Sequence, residues 1–287
     1  MSAVENTMAA TPTGKAGARS RELEAGHRAV HKAKGDPADA LGPWQLLGLR
    51  LVLPAMFVVA WSLASTSPSV AAVLPSPVAV LGALWDQLLA GHLLGHLGAS
   101  LGRAFAGFFV AAAIGIAFGL AMSQSMILRQ ILAGPVELLR PISSIAWIPL
   151  AILWFGIGFT SVVFVIVVSC LFIILLNTLA AASDINRDLV KAALTLGASR
   201  WQVFTKVSVP SALPGIMLGL RIAMTGAWGG VLVAEMIATQ QGLGYMIVRA
   251  QASYQPALVI GGMLVVGIVG YALNALFLVL QRRLTHA

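Results

Sequence analysis

Three charged residues stand within or at the edges of long apolar runs of this sequence: Arg103, Arg221 and Glu235. A charge inside a bilayer is costly, so such residues are candidates for a translocation pathway. Arg221 and Glu235 are roughly 21 Å apart along one helix and cannot pair within it. The sequence is compatible with three roles for these charges: structural pairing, direct contact with a passing anion, or exposure at an interface.

His92 and His96 are a second pair with possible chemistry, since residues four apart share one helix face and can hold a metal ion. No third histidine, cysteine or carboxylate lies near them in sequence beyond Asp86. We therefore predict no metal site, and we interpret the two histidines as a polar face at the membrane interface.

Nucleotide-binding and catalytic patterns are missing from the sequence. A phosphate-binding loop needs GxxxxGK followed by Ser or Thr, whereas the single Gly-Lys pair, Gly14–Lys15, lacks the preceding glycine. No Ser-His-Asp arrangement or carboxylate dyad lies on a credible scaffold. We predict that the chain is not an enzyme and binds no cofactor itself.

Composition places these residues in a membrane protein. Hydrophobic residues make up 59% of the 287 residues, charged residues 10%, and the mean hydropathy is +0.90, too apolar for a soluble domain. The formal charge of +8 does not predict nucleic-acid binding, because the basic residues lie between apolar runs. The lone Cys170 excludes an intrachain disulfide.

The hydrophobic pattern predicts an all-α, polytopic membrane domain over residues 44–287. Basic residues fall mostly on one side if both termini are cytoplasmic, and the opposite segments carry only Arg249, with Arg103 near one span end. A break at Pro141 is expected before the third span. The six predicted spans are Leu46–Ala64, Gly98–Met122, Ile142–Ile157, Ser161–Ala181, Leu213–Ile237 and Ala257–Leu280.

Residues 1–43 mix basic and acidic side chains and contain no apolar run, which predicts a disordered cytoplasmic tail. The tail also lacks the apolar core of a signal peptide, so the first span is expected to stay as a signal-anchor. Two spans carry small residues four apart, which predicts close helix packing: Gly107, Ala111, Gly115 and Gly119, and Gly215, Gly219, Ala223 and Ala227.

The polar interval at residues 184–210, here called the elbow, predicts two short helices. Asp184 is a candidate cap for the first helix, and Gly197 suits the left-handed position after it. Ser199 with Gln202 fits a capping box that begins the second helix. Pro210 is expected to end that helix, whose apolar side is led by Trp201 and Phe204.

The elbow resembles the cytoplasmic loop of membrane subunits of binding-protein-dependent ABC importers. That family's pattern is Glu-Ala-Ala, three residues, Gly, then hydrophobic-x-hydrophobic-Pro. Lys191 departs from it, standing where the family usually has Glu. The matching residues are Ala192, Ala193, Gly197, Val207, Val209 and Pro210.

Other segments resemble the branch of these permeases that serves taurine, aliphatic sulfonates, nitrate and related small anions. The resemblance covers about residues 74–283. The matching segments are LPSP at Leu74–Pro77, the run Leu138–Gly158, LLNTLAA at Leu175–Ala181, AEM at Ala234–Met236 and GLGY at Gly242–Tyr245.

This resemblance implies a type I ABC importer permease in the bacterial cytoplasmic (inner) membrane. It also implies two ATP-binding subunits that carry ATP and Mg, a periplasmic or lipoprotein solute-binding protein, and a second permease copy, with a homodimer expected. The elbow would be the coupling helix that docks into a groove of the ATPase. The residues implied in this coupling are Lys191, Ala192, Ala193, Gly197, Ala198, Ser199, Trp201 and Phe204.

Two alternatives follow from the sequence. Lys191 either faces an acidic residue of the ATPase or is solvated on the outer face of its helix, with the apolar side of the elbow making the contact. The chain as a whole could instead be an ion-coupled secondary transporter, which should show intramembrane carboxylates, a broken-helix ion site or inverted repeats. The sequence shows no inverted repeat, and Glu235 is the only acidic residue in a predicted span.

Overall fold

The computed structural model describes residues 43–185 and 187–285, and every regular element within these ranges is helical. The chain divides into two compact units, Met1–Leu63 and Ala64–Ala287. The first unit contains all but the last residue of helix α1 (Pro43–Ala64). Apart from Pro43, the predicted tail lies outside the described residues and stays a prediction.

The second unit is a succession of helices joined by short connections. Its elements are α2 (Pro68–Ala71), α3 (Pro77–Leu89), α4 (His92–Gln124), α5 (Met126–Leu139), a 3₁₀ turn (Ser144–Trp147), α6 (Ile148–Phe155), α7 (Phe159–Ser183), α8 (Arg187–Thr195), α9 (Arg200–Val203), a π turn (Phe204–Ser208), α10 (Val209–Ala238), α11 (Leu243–Ala252) and α12 (Pro256–Thr285).

Four helices in the described ranges are long and apolar enough to cross a membrane. They are α4, α7, α10 with the turns before it, and α12, which confirms the second, fourth, fifth and sixth predicted spans. A fifth is added if the bent pair of α5 with the segment 144–155 is counted as one span. Helix α1 is 22 residues long and contains the first predicted span, Leu46–Ala64.

The third predicted span, Ile142–Ile157, corresponds to the helical segment Ser144–Phe155, which is long enough to count as a span only together with α5. Helix α5 and the segment Ser144–Phe155 meet at an angle of 89°. The break falls around Pro141, as predicted, because proline cannot donate a helical hydrogen bond and its ring crowds the preceding turn. The polar stretch before it, Arg129 to Arg140, is largely helical and belongs to α5.

Helix α7 packs between α4 and α10 and is apolar on all sides. The small residues predicted as packing faces lie at these contacts. A Cβ on Gly107 of α4 would lie 2.6 Å from Cβ of Ile166, and one on Gly219 of α10 would lie 2.6 Å from Cβ of Asn177. The predicted role of both small-residue faces is therefore confirmed, since larger residues would push the helices apart.

Candidate functional site

The end of α10 carries a buried group of residues that we call the carboxylate cluster: Glu235, Arg103, Ser100 and Gly244. Glu235 has no exposed surface. Arg103 Nη1 donates to its Oε1 at 2.6 Å, while Ser100 Oγ donates to Oε2 at 2.7 Å. The backbone N–H of Gly244 donates to the same Oε2 at 3.1 Å. Both carboxylate oxygens are thus paired, and two of the three charges predicted as pathway candidates neutralise each other.

The cluster joins three elements, because Ser100 and Arg103 lie one turn apart on α4 and the connection from α10 to α11 folds over them. The N–H of Leu243 donates to Ser100 Oγ at 2.8 Å. The N–H of Gly242 donates to His96 Nδ1 at 3.1 Å, one turn before Ser100. The first N–H groups of α11 are therefore satisfied by side chains of α4 and by Glu235 of α10 rather than by a cap of their own.

Two glycines make this close approach possible. Gly242 has φ +119°, a backbone conformation that L side chains rarely adopt. A Cβ on Gly242 would overlap the Glu235 carboxylate, and a Cβ on Gly244 would overlap the carbonyl oxygen of Leu232. The AEM and GLGY motifs are therefore two halves of one contact, with glycines where the carboxylate needs room.

Besides its pairing with Glu235, Arg103 makes a second hydrogen bond and borders a cavity. Its Nη1 also donates to the carbonyl oxygen of Gln241 at 2.8 Å, and its Nε is buried without a hydrogen-bond partner among the described residues. The guanidinium borders a cavity of about 510 Å³. Ile157, Gly158, Thr239, Gln240 and Gln241 complete the lining of this cavity.

Arg221, the third charged candidate, does not join the cluster. Its Nε donates at 3.0 Å to Oδ1 of Asn274 on α12. The prediction that Arg221 does not pair with Glu235 is confirmed. Arg221 therefore links α10 to α12, and each of the three charges has a polar partner within the protein.

The opposite end of α10 leads to the elbow, whose turn has the predicted geometry. Gly197 has φ +85°, in the left-handed region. The N–H of Gly197 donates to the carbonyl of Leu194 at 3.0 Å, and that of Ala198 donates to Ala193 at 3.1 Å, which closes α8. The capping box of α9 is also confirmed. Ser199 N–H donates to Gln202 Oε1 at 2.8 Å, and Gln202 N–H donates to Ser199 Oγ at 3.3 Å.

Two details of the predicted elbow were wrong. Asp184 does not begin the first helix: it ends α7, where its N–H donates to the carbonyl of Ala180 at 3.1 Å. Pro210 does not end the second helix, since α9 continues through the π turn into α10. Proline is tolerated there because it stands in the first turn of α10, and the wider π turn before it absorbs the changed hydrogen bonding.

The elbow exposes apolar side chains. Leu196 is 87% exposed, Trp201 70% and Leu189 54%. Ala192 and Ser199 are also exposed, while Ala193, Ala198 and Phe204 are half-buried. The rings of Trp201 and Phe204 contact each other with centroids 5.6 Å apart and planes tilted by 34°. An exposed apolar group of this kind is typical of a protein interface.

Lys191 lies on the exposed side of α8. Its Nζ is 3.6 Å from Oδ1 of Asp188, and both side chains are mostly exposed. An exposed ion pair one helical turn apart contributes about 0–1 kcal/mol. Lys191 thus has a weak charge partner on its own helix.

His92 and His96 occupy the first turns of α4. Among the described residues no group of three or more His, Cys, Asp or Glu side chains is close enough to hold a metal ion. His96 instead accepts the Gly242 N–H. Sequence reasoning missed Ser100 and His96 as partners of the α10–α11 connection, although the GLGY motif marked the connection itself.

Several proteins similar to this chain are named as ABC transporter permeases. The taurine transport system permease protein TauC of Escherichia coli K12 is 38% identical over 56% of this chain and 58% of its own length. SsuC of the same strain, a permease named for aliphatic sulfonate transport, is 36% identical over 80% of this chain and 86% of its own. The riboflavin transport system permease protein RibX of Chloroflexus aurantiacus is 35% identical over 85% and 91%.

The fold is also found in a solved structure, the inward-facing MetNI methionine ABC transporter. The TM-score is 0.59 at 20% identity, over 67% of this chain and 95% of that one. Residues 111–287 match the family described as the inner membrane component of binding-protein-dependent transport systems. Together with the buried helix contacts and the elbow, these matches show that the chain belongs to that family and is an ABC transporter permease subunit.

Proposed function

We propose that this permease imports a small anionic solute, such as an aliphatic sulfonate, taurine or nitrate, and is driven by ATP hydrolysis on two separate ATP-binding subunits. The names of TauC and SsuC support a sulfonate or taurine. RibX is named for riboflavin and is about as similar to this chain as SsuC is, so sequence identity alone does not identify the solute. A solute-binding protein would deliver the anion, and a second copy of this chain would complete the pore.

The observation that carries the proposal is the elbow. Exposed Trp201 lies on α9, which continues through the π turn into α10 without a helix break, and exposed Leu196 lies in the turn just before α9, so a force applied to α9 is transmitted along α10. The ATPase groove would cover these apolar side chains. Approach of the two elbows on ATP binding would then tilt α10 of each copy and change the side to which the pore opens.

The geometry does not favour the ion-coupled alternative. A coupling carboxylate must exchange an ion or proton during each cycle. Glu235, the one acidic residue in a predicted span, is fully buried and paired with Arg103, Ser100 and Gly244. These three hydrogen bonds hold the Glu235 carboxylate in a fixed position and leave neither of its oxygens open for a coupling ion.

Reconstitution in proteoliposomes tests the proposal. The chain should take up radiolabelled taurine or another sulfonate only with an ATPase subunit, a binding protein and ATP, and the purified chain alone should hydrolyse no ATP. Uptake driven by an ion gradient without ATP, or stoichiometric hydrolysis by the pure chain, would overturn it. Competition between taurine, nitrate and riboflavin in the same assay identifies the solute class.

A further inference from the structure

A cavity of about 450 Å³ lies between the start of α4 and helix α11, apart from the carboxylate cluster. Four of its lining side chains, His92, His96, Tyr245 and Arg249, can donate hydrogen bonds. We propose that this cavity binds a small oxyanion, a sulfonate or carboxylate, held by Arg249, Tyr245 and His96.

The hydrogen bond to the α10–α11 connection fixes what His96 can offer to the cavity. Its Nδ1 accepts the Gly242 N–H, so the neutral imidazole carries its proton on Nε2. His96 is therefore a hydrogen-bond donor on its remaining nitrogen, and the same side chain borders the cavity.

Arg249 and Tyr245 are arranged in a complementary way. The two residues lie one turn apart on α11, and Arg249 Nη1 donates to the Tyr245 hydroxyl oxygen at 3.0 Å. The hydroxyl accepts this bond, so its own proton is free to donate elsewhere. The Tyr245 ring also contacts the His96 ring, with centroids 6.2 Å apart, which brings the two donors to one wall.

The charge balance of the cavity favours an anion. Its other polar lining side chains, Gln87, Ser253 and Gln255, are uncharged, and none of the described residues that line it is a carboxylate. Arg103, by contrast, is already neutralised by Glu235. The exposed guanidinium of Arg249 has no carboxylate partner among the described residues and lies beside the Tyr245 hydroxyl, so this wall offers an oxyanion a positive charge next to a hydrogen-bond donor.

The cavity lies where an anion could bind before it enters the pore. Arg249 lies on the side of the membrane that is predicted to face away from the cytoplasm. The other segments predicted on that side carry almost no basic residues, so Arg249 is the exception. His96 connects the cavity directly to Gly242 in the connection that covers the carboxylate cluster. Use of the site by cargo on its way to the pore rests on the proposed function, whereas anion binding itself can be measured on this chain alone.

The test is a titration of the full-length chain in detergent with methanesulfonate, followed by the imidazole ¹⁵N resonances of His96. Histidine-selective labelling keeps the spectrum simple, since the chain has 5 histidines. The His96 signal should shift and saturate. In Arg249→Gln the Kd should rise about tenfold or more, because a charge-assisted hydrogen bond is lost, and in Tyr245→Phe it should rise a few-fold.

Arg282→Gln is the matched control, since Arg282 is also an exposed arginine, lies in the last turn of α12, and its loss changes the net charge by the same amount. Its Kd should equal that of the wild type, and dimethyl sulfone, which is uncharged, should produce no shift. A shift that does not saturate, that chloride reproduces at equal ionic strength, or that persists unchanged in Arg249→Gln would overturn the inference. If taurine uptake by the complete transporter is intact in that case, the proposed function stands without this site.

Discussion

The two ends of α10 have opposite chemistry although one helix connects them over roughly 40 Å. At the carboxylate cluster the charges of Glu235 and Arg103 are buried and paired. At the elbow the apolar side chains of Leu196 and Trp201 lie exposed. The cluster is complete within one chain, whereas the elbow exposes apolar surface that the proposed function assigns to contact with the ATPase. Variants at the cluster should therefore change the stability of this chain, and variants at the elbow should change its coupling.

The largest effect is expected for Glu235→Ala, because it leaves the Arg103 guanidinium buried without a counter-charge. Breaking a buried pair in this way costs about 3–5 kcal/mol. The thermal unfolding midpoint in detergent should fall strongly. The double variant Arg103→Leu with Glu235→Leu should lose much less, and Asp188→Ala, which breaks the exposed pair at the elbow, should change the midpoint little. Equal effects of Glu235→Ala and Asp188→Ala would contradict the comparison.

Gly244→Ala is expected to have the next largest effect. The added Cβ would overlap the carbonyl oxygen of Leu232 and crowd Glu235, and overpacking of this kind costs about 1–3 kcal/mol. Gly267→Ala in α12 is the control, since its Cβ meets nothing within 4 Å and alanine favours a helix. A midpoint that falls in Gly244→Ala and not in Gly267→Ala is the predicted result. Equal unfolding midpoints for the two variants would show that the contact between the AEM and GLGY motifs accommodates an added methyl group without loss of stability.

Gly197→Val should leave the cluster intact and disturb the elbow. A β-branched residue at φ +85° costs more than about 1 kcal/mol locally, so the chain between α8 and α9 should change direction. Membrane insertion should survive while solute uptake falls. Gly197→Asn is the matched control, because asparagine tolerates the left-handed region better, and it should retain more uptake. Normal uptake in Gly197→Val at equal expression would mean that the turn has no part in coupling.

Lys191→Glu should have the smallest effect. It replaces the exposed pair with Asp188 by two carboxylates one turn apart, which destabilises a helix by a few tenths of a kcal/mol. We expect the apolar side of the elbow, and not Lys191, to make the main contact with the ATPase, because Leu196 and Trp201 are the more exposed apolar side chains there. ATPase retention by a tagged variant should equal that of the wild type across a salt series. Loss at low salt, restored by an acidic-to-basic change on the ATPase, would instead establish the charge pair.

The elbow could be predicted largely from sequence because its signals are local. Gly197 and the pair Ser199 and Gln202 act over three or four residues, and each adopts the predicted geometry. Asp184 and Pro210 were misassigned because each suits two positions. Asp184 could begin one helix or follow another, and proline is compatible with the first turn of a helix as well as with its end.

The carboxylate cluster could be predicted only in part. Glu235 and Arg103 were candidates because a charge in an apolar run is unusual, but they are 132 residues apart in sequence and their pairing depends on how α4 packs beside α10. Ser100 gave no signal, because serine is common in apolar helices. The break near Pro141 was predicted, but the 89° angle between α5 and the segment Ser144–Phe155 was not, since hydropathy reports length and apolarity but not direction.

Cysteine protection is the most direct test of the claim that the elbow is covered by the ATPase. The native Cys170 is fully buried and should not react with a maleimide, so Leu196→Cys introduces one accessible thiol at the elbow. Tyr254→Cys, at a position that is 93% exposed just after α11, is the matched control away from the elbow. In detergent both thiols should react with the permease alone, and addition of the ATPase should slow labelling of Leu196→Cys several-fold while leaving Tyr254→Cys unchanged. Equal labelling of Leu196→Cys with and without bound ATPase would contradict the account.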